Sequence, residues 1–345
     1  MKSLSRWITG LLAAAATASA LAQAPAAPAA TAAAGEEDIK FALDFIPLGR
    51  HAPWYVALAK GYFKEEKLNV TILPSKGTAD AIRFVDSGLA EIGFIDIPSL
   101  VAAGSAGANL RIVAGVYQRA PYCVFSLNPG ANVTSPKGMV GLEVGSSSAS
   151  FMPRIFSAFM KMNNLDPATL KVVNIDAAAR VPMLVSNKVQ AIDQFLMGEP
   201  SIRRAAQGGA APQCLLLADH GLDIYANSIG VREDFLKKKP AVVRGFIRAA
   251  MRGWKDALAN PEEAARLQTQ YLKALDPAII VEELKIMRRI AITPDVEARG
   301  FGTMNRDKLV RTVNFINQNI TVPGTPLTAD QIFVDGMLPA TPIKP

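Results

Sequence analysis

Short apolar runs alternate with stretches of helical period along most of the chain. "IKFALDF", Ile39 to Phe45, has the length and composition of a strand. Trp54 to Lys67 follows a helical pattern, with Pro53 suited to its first turn. Val70–Leu73 is again a strand, Thr78–Ser87 a helix and Ile92–Ile95 a third strand. The unit then recurs. Val140–Val144 predicts a strand, followed by "GSSSAS" and a helix through Met160; Val172–Ile175, a helix to Ser186 and the strand Ala191–Phe195 complete it. Alternating β and α units predict an α/β fold with largely parallel pairing.

Two segments about a hundred residues apart carry the same plan. "FVDSGLAEIGFID" (84–96) and "MLVSNKVQAIDQF" (183–195) each end a helix at a serine, Ser87 or Ser186. Each turns at a residue that tolerates left-handed backbone, Gly88 or Asn187, and then enters a short apolar strand. This weak repeat predicts two lobes of one design. The last third is helical instead. Val242, Phe246, Ala250, Trp254 and Leu258 fall on one face of Ala241–Ala259. Asn260-Pro261-Glu262-Glu263 and Asp276-Pro277 are strong helix starts, and Asn305 opens a further one.

The first residues do not belong to this pattern. Lys2 and Arg6 precede an apolar run, Trp7 to Ala20, and Ala20-Leu21-Ala22 has the small-residue spacing of an export cleavage site. The run is shorter than the ~20 residues of a spanning helix. Residues 1–22 are therefore expected to be a signal peptide cut after Ala22, and residues 23–37, rich in Ala and Pro, a disordered linker. The expected location is the periplasm. The 345 residues carry 37 basic and 30 acidic side chains, net +7, and losing Lys2 and Arg6 leaves +5. That excess is spread along the chain, and Lys237-Lys238-Lys239 suits a solvated face better than nucleic acid. Cys123 and Cys214, the only cysteines, would meet an oxidising compartment and can pair, but sequence carries no geometry for the bridge. Two cysteines and two histidines in no metal-ligand spacing predict no metal site, and no cofactor is expected.

Ligands of open α/β sheets sit beyond the carboxyl ends of the strands. That rule selects the loops Phe45–Pro53, Asp96 to Ser99, Gly145 to Ser150, Asp176 to Arg180 and Met197 to Pro200. Ser146, Ser147 and Ser148 offer three hydroxyls beside a helix start, where free N–H groups favour an acidic group; simple capping by one serine explains them as well. Arg50, Arg119 and Arg180 are candidate partners for a carboxylate or sulfonate, with Arg119 and Arg50 preferred. Phe45, Trp54 and Tyr117 could form an apolar wall, although Trp54 and Tyr55 also suit a helix core. Glu199, Asp96, Ser99 and Asn227 complete the candidate set. His51 is one of only two histidines. No base, nucleophile or orienting partner stands near it in sequence, so it reads as a hydrogen-bonding or loop-structuring residue, and no catalytic role is expected.

Three stretches carry a wider resemblance: "HAPWYVALAKGYFKEEKLNVTIL" (51–73), "SGLAEIGFIDIPSLVAA" (87–103) and "YANSIGVREDFLKKKPAVVRGFIRAAMRGWKDALANPEEA" (225–264). They resemble the periplasmic solute-binding proteins of ABC importers for taurine, alkanesulfonates, nitrate, aromatic acids and thiamine-pyrimidine precursors, a superfamily that also holds the fungal pyrimidine synthase. The resemblance implies a two-lobed type II binding fold, each lobe a sheet flanked by helices, with the ligand cleft between lobes. It implies crossovers near Gln118–Val124 and Gly221–Ser228, with residues 38–120 and 225–345 in lobe 1 and 121–224 in lobe 2. The implied protein is a non-catalytic, monomeric receptor. It captures a small organic anion by hinge closure and delivers it to an inner-membrane permease with its ATPase, or presents it to a sensor. In the pyrimidine-precursor branch the first loop resembles tryptophan, any residue, proline, asparagine and a later histidine. Pro47 and His51 match here, but Phe45 and Leu48 stand at the tryptophan and asparagine positions, which places a pyrimidine behind a sulfonate or aromatic carboxylate, and a pyrimidine-synthase-like enzyme with His51 as its reactive group behind both.

Overall fold

The computed structural model describes residues 35–345. The expected signal peptide and nearly all of the expected linker lie outside them. The described chain begins with β1 (Glu37–Ala42), α1 (Ala52–Ala59), α2 (Tyr62–Glu65), β2 (Leu68–Leu73), α3 (Thr78–Asp86), β3 (Ile92–Asp96), α4 (Ile97–Ser105) and β4 (Leu110–Gly115). It continues through β5 (Tyr122–Asn128), β6 (Glu143–Ser146), α5 (Met152–Met162), β7 (Lys171–Asn174), α6 (Arg180–Val185), β8 (Ala191–Phe195), α7 (Glu199–Ala205) and β9 (Ala211–Leu216). β10 (Asn227–Arg232) leads to the helical end, α8 (Glu233–Lys238), α9 (Pro240–Ala259), α10 (Pro261–Tyr271), α11 (Pro277–Ala291), α12 (Pro294–Arg299), α13 (Arg306–Asn319) and α14 (Ala329–Ile332).

The strands form two five-stranded sheets, ordered β2-β1-β3-β10-β4 and β7-β6-β8-β5-β9. Both follow one rule. Three strands of a parallel βαβ run pair as second, first and third; a strand contributed by the chain's passage between sheets pairs antiparallel beside the third. β5 plays that part on entry to the second sheet and β10 on return to the first. The repeat seen in sequence is thus real, and its two turns take left-handed backbone as expected, with φ of 79° at Gly88 and 54° at Asn187. β4, β5, β9 and β10 were not legible, because their apolar residues continue into loops without a period. The first passage accordingly ends at β5, which starts at Tyr122 and takes in Cys123 and Val124.

Local chemistry explains the helix boundaries. Asp96 accepts a hydrogen bond from the Ser99 backbone and starts α4. Asn260, Asp276 and Asn305 cap α10, α11 and α13 in the same way, each with the following turn as donor. The single helix expected over Trp54–Lys67 is two, because Gly61 adopts a φ of 75° between α1 and α2. Cys123 and Cys214 do pair, joining β5 to its neighbour β9 across a sequence separation of 91 residues. The lysine run meets carboxylates at the surface: Lys237 pairs with Glu233, Lys238 with Asp234 and Lys239 with Glu37. No helix among the described residues is long and apolar enough to cross a membrane.

The core of the first lobe is aromatic. Trp54 on α1 meets Phe41 at 4.7 Å, Phe94 at 5.2 Å and Trp254 at 5.4 Å between ring centroids. Such tilted contacts let α9 lie directly over α1. Gly253 makes the approach feasible: a Cβ there would stand 2.4 Å from the Pro53 carbonyl oxygen and 2.7 Å from the Ala57 Cβ. A Gly253→Val substitution is expected to destabilise the fold by roughly 1–3 kcal/mol or more through overpacking. Urea unfolding checks this; an unchanged midpoint would mean that the two helices can separate without cost.

Candidate functional site

The carboxyl ends of β1, β3, β6 and β8 converge on one interlobe cleft. It has two parts. An inner chamber of about 50 Å³ is lined by Asp44, Phe45, Arg50, Asp96, Tyr122, Arg180, Asp193 and Phe195, among others. An outer cleft of about 480 Å³ opens beside it, lined by Ser99, Ser146, Ser147, Ser148, Arg154 and Asn174 with small apolar residues of α3 and α4. Thr78, Ser150 and Phe151 border both.

The inner chamber is built from charge pairs laid against aromatic rings. Asp44, just past β1, receives Arg50 Nη2 at 3.0 Å, His51 Nε2 at 2.9 Å and Asn227 Nδ2 at 2.9 Å. Burial opposes ionisation of Asp44, but the Arg50 charge and the His51 hydrogen bond outweigh it and hold the carboxyl below its usual range. Opposite, Asp193 on β8 is paired with Arg180 and accepts from Ser150 Oγ. Each guanidinium also covers a ring of the other lobe's lining: Arg50 stands 4.8 Å from the Phe195 centroid and Arg180 4.6 Å from that of Phe45. The Nε atoms of both arginines are buried without a hydrogen-bond partner among the described residues. Asp96 accepts from the Ser99 backbone at 3.0 Å, from Ser99 Oγ at 2.7 Å and from Tyr122 Oη. Burial raises its pKa.

His51 lies behind this surface. Its Nδ1 accepts from the Leu48 backbone at 3.0 Å, so Nε2 carries the proton given to Asp44. The ring is fully buried, and burial together with the Arg50 charge lowers its pKa to about 4. It stays neutral near pH 7 and fixes Asp44 in place. Asn227 works on Asp44 from β10 in the same way, with its own Oδ1 unpartnered among the described residues.

The positions of several expected contacts need correction. Trp54 is completely buried among Phe41, Phe94 and Trp254 and reaches neither chamber. Tyr117 is buried beneath Arg50, 3.5 Å from its Nη1, and supports it from behind. Arg119 points away from the cleft and pairs with Asp219 at the surface; of the three arginine candidates, Arg50 and Arg180 line the chamber. Glu199 pairs with Arg203 one turn along α7 and lines neither space. His51 and Asn227 touch the chamber only through Asp44. Phe45, Arg50 and Asp96 line the inner chamber, and Ser99, Ser146, Ser147 and Ser148 the outer cleft. Asp44, Tyr122, Asp193, Phe195 and Phe151 were not selected from sequence. Asp193-Gln194 inside the apolar strand Ala191–Phe195 was the available signal, since polar residues within a buried strand need partners.

The lobes touch around the cleft. Ala79 N donates to the Ala149 carbonyl at 3.3 Å, and Ser147 Oγ to the Lys76 carbonyl at 3.4 Å. On the far side Glu283 of α11 accepts from the Arg50 backbone at 2.8 Å and from Ser201 Oγ of α7 at 3.0 Å. Gly49 lets the loop come this close, for a Cβ there would stand 2.8 Å from Glu283 Oε2.

Two sheets of one order, facing each other across a cleft, define the class: this is the periplasmic-binding-protein fold. The chain superposes on the alkanesulfonate-binding protein SsuA from Xanthomonas axonopodis pv. citri bound to MOPS with a TM-score of 0.69, at 12% identity over 88% of this chain and 100% of that one. The chain belongs to the NMT1/THI5 like family, whose pattern matches residues 49–264. Its relatives include the riboflavin-binding protein RibY of Chloroflexus aurantiacus, 29% identical over 259 residues, 74% of this chain and 71% of that protein. Another is the formylaminopyrimidine-binding protein of Halalkalibacterium halodurans, 23% identical over 229 residues, 66% of this chain and 68% of that one.

Burial raises the Glu283 pKa from 4.5 to about 7, against the opposing hydrogen bond from Arg50. The native chain therefore holds a proton there that the unfolded chain releases above pH 4.5. This contribution to stability is fully present below that pH and lost as pH rises through about 7. Relative to wild type, Glu283→Gln should gain on the order of 2–3 kcal/mol of stability between pH 5 and pH 8. Urea unfolding at the two pH values measures the gain, and a difference that does not change with pH would count against a buried, protonated Glu283.

Proposed function

We propose that this protein is the non-catalytic substrate-binding component of an ABC import system. Residues 38–120 with 225–345 form one lobe and residues 121–224 the other. They close by a hinge on a small organic anion that carries a flat ring, and the closed form is handed to a membrane permease and its ATPase. The observation that carries this reading is the inner chamber: the strand ends of both lobes contribute to one space walled by Phe45, Phe195 and Tyr122. Its polar groups are tied to one another, Asp44 to Arg50 and Asp193 to Arg180. They give shape and orientation to a bound molecule, while the one histidine nearby stays neutral near pH 7 and is held by Asp44 and the Leu48 backbone. Family membership and the superposition on a sulfonate receptor support the same role, as does a disulfide suited to an oxidising periplasm. Closure would follow from whatever extra affinity the ligand has for the closed form.

A second reading has one observation in its favour. Both chamber arginines are already neutralised by aspartates, and Asp96 adds an acceptor. An uncharged heterocycle with N–H donors would suit that lining, and two relatives bear ring compounds in their names, riboflavin and formylaminopyrimidine.

A thermal-shift screen over aromatic carboxylates, sulfonates, nitrate, pyrimidines and flavins tests both. A ligand at 100 times its dissociation constant should add about 2.7 kcal/mol. Ring-bearing acids are expected to raise the melting temperature, and Arg180→Ala to abolish that rise. A response to neutral heterocycles alone would select the second reading, and no response to any compound would remove the binding role.

A further inference from the structure

The two parts of the cleft differ in charge as well as in size. In the inner chamber the lining carries three carboxylates, Asp44, Asp96 and Asp193, against two guanidinium groups. Both guanidinium charges there are already paired with aspartates, which leaves only one unpartnered Nε–H on each. In the outer cleft, Arg154 is the one charged lining residue. Arg154 is exposed, and among the described residues its side chain makes no ion pair or hydrogen bond; its guanidinium lies 5.4 Å from the Phe151 ring that separates the two spaces. Ser146 adds a second, independent sign. The residue is 1% exposed and lines the outer cleft, yet its hydroxyl has no partner among the described residues. A buried hydroxyl without a partner costs stability unless a bound group satisfies it.

We infer that the ligand is bipartite: its ring lies at the border with the inner chamber, against Phe151, and an acidic arm, ending in a carboxylate, sulfonate or phosphate, lies in the outer cleft against Ser146, Ser147 and Arg154. This rests on the binding role proposed above and assigns the ligand's charge to a place away from the buried arginines. The outer space is large enough for a chain of several atoms, and the shared border at Thr78, Ser150 and Phe151 is where such a molecule would pass from ring to arm. An acidic terminus there would meet a cation that nothing else among the described residues neutralises, at the mouth where it keeps part of its hydration.

Matched pairs of compounds test this, each pair sharing a ring and differing in the acidic arm. Suitable pairs are benzyl alcohol with 4-phenylbutyrate, 4-amino-5-hydroxymethyl-2-methylpyrimidine with its phosphate, and riboflavin with its 5′-phosphate. Calorimetric titration of wild type should show the acidic member of at least one pair binding tenfold or more tightly. Arg154→Gln and Ser146→Val should each erase that advantage and leave the arm-free member unaffected. Because Arg154 is exposed, Arg154→Gln should keep the unliganded melting temperature, so a lost advantage cannot be put down to misfolding. Equal binding within every pair, or an equal loss of both members in Arg154→Gln, overturns the arm site while leaving the receptor role intact. Failure of every compound to bind overturns both.

Discussion

One buried carboxylate organises the cleft. Asp44 stands where β1 ends, and three groups meet on it: Arg50 and His51 from the following loop, and Asn227 from the distant strand that returns to the first sheet. A charge this deep is tolerable only when fully paired and hydrogen-bonded. That requirement fixes much else. The loop must bend so that both Arg50 and His51 face inward, which needs Gly49 against α11. His51 must hold the proton on Nε2, which the Leu48 backbone enforces. Arg50, once committed to Asp44, presents its flat face to Phe195 of the other lobe, so the pairing inside one lobe creates the aromatic contact between them.

The mirror arrangement on the second lobe uses other residues for the same end. Arg180 is committed to Asp193 and covers Phe45. Each lobe thus supplies a guanidinium for the other's ring. Both cations are neutralised within their own lobe, so parting the lobes leaves these two pairs intact, while the contacts between lobes include Tyr122 Oη on Asp96, Ser201 Oγ on Glu283 and the surface pairs Arg203–Glu282 and Arg204–Asp276.

The architecture was more legible than the site. Strands and helices of the two βαβ runs show in the spacing of Ile39–Phe45, Thr78–Ser87 and Ala191–Phe195, and the repeat at Gly88 and Asn187 reveals the doubling. Resemblance supplied the expectation of two sheets about a cleft. The strands that cross between lobes did not show, because β5 and β10 sit mid-sheet and mix apolar with polar residues in no alternation, like the segments around them. Among residues that line the cleft, the rule of carboxyl strand ends selects Phe45, Arg50, Asp96 and the serine loop. It also selected Trp54 and Arg119, for sequence does not say which way a side chain turns: Trp54 lies on the core face of α1, and Arg119 finds Asp219 outside. Tyr122 and Asp193 were missed for the opposite reason. They lie within strands, where an apolar neighbourhood hides a polar partner.

The place of β10 has a consequence for the order in which the protein is built. β3 and β4 do not pair with each other; β10 lies between them. All five strands of the second sheet fall within one uninterrupted stretch, Tyr122–Leu216, whereas the first sheet stays split until residue 232 has joined it. The second sheet thus needs no strand from outside that stretch, whereas the first needs one made about a hundred residues after β4, a pairing of high sequence separation that is slow to form. Asn227, which completes the ring of donors around Asp44, arrives on that strand. The ring of donors around Asp44 is therefore completed from a part of the chain far from the loop that begins it.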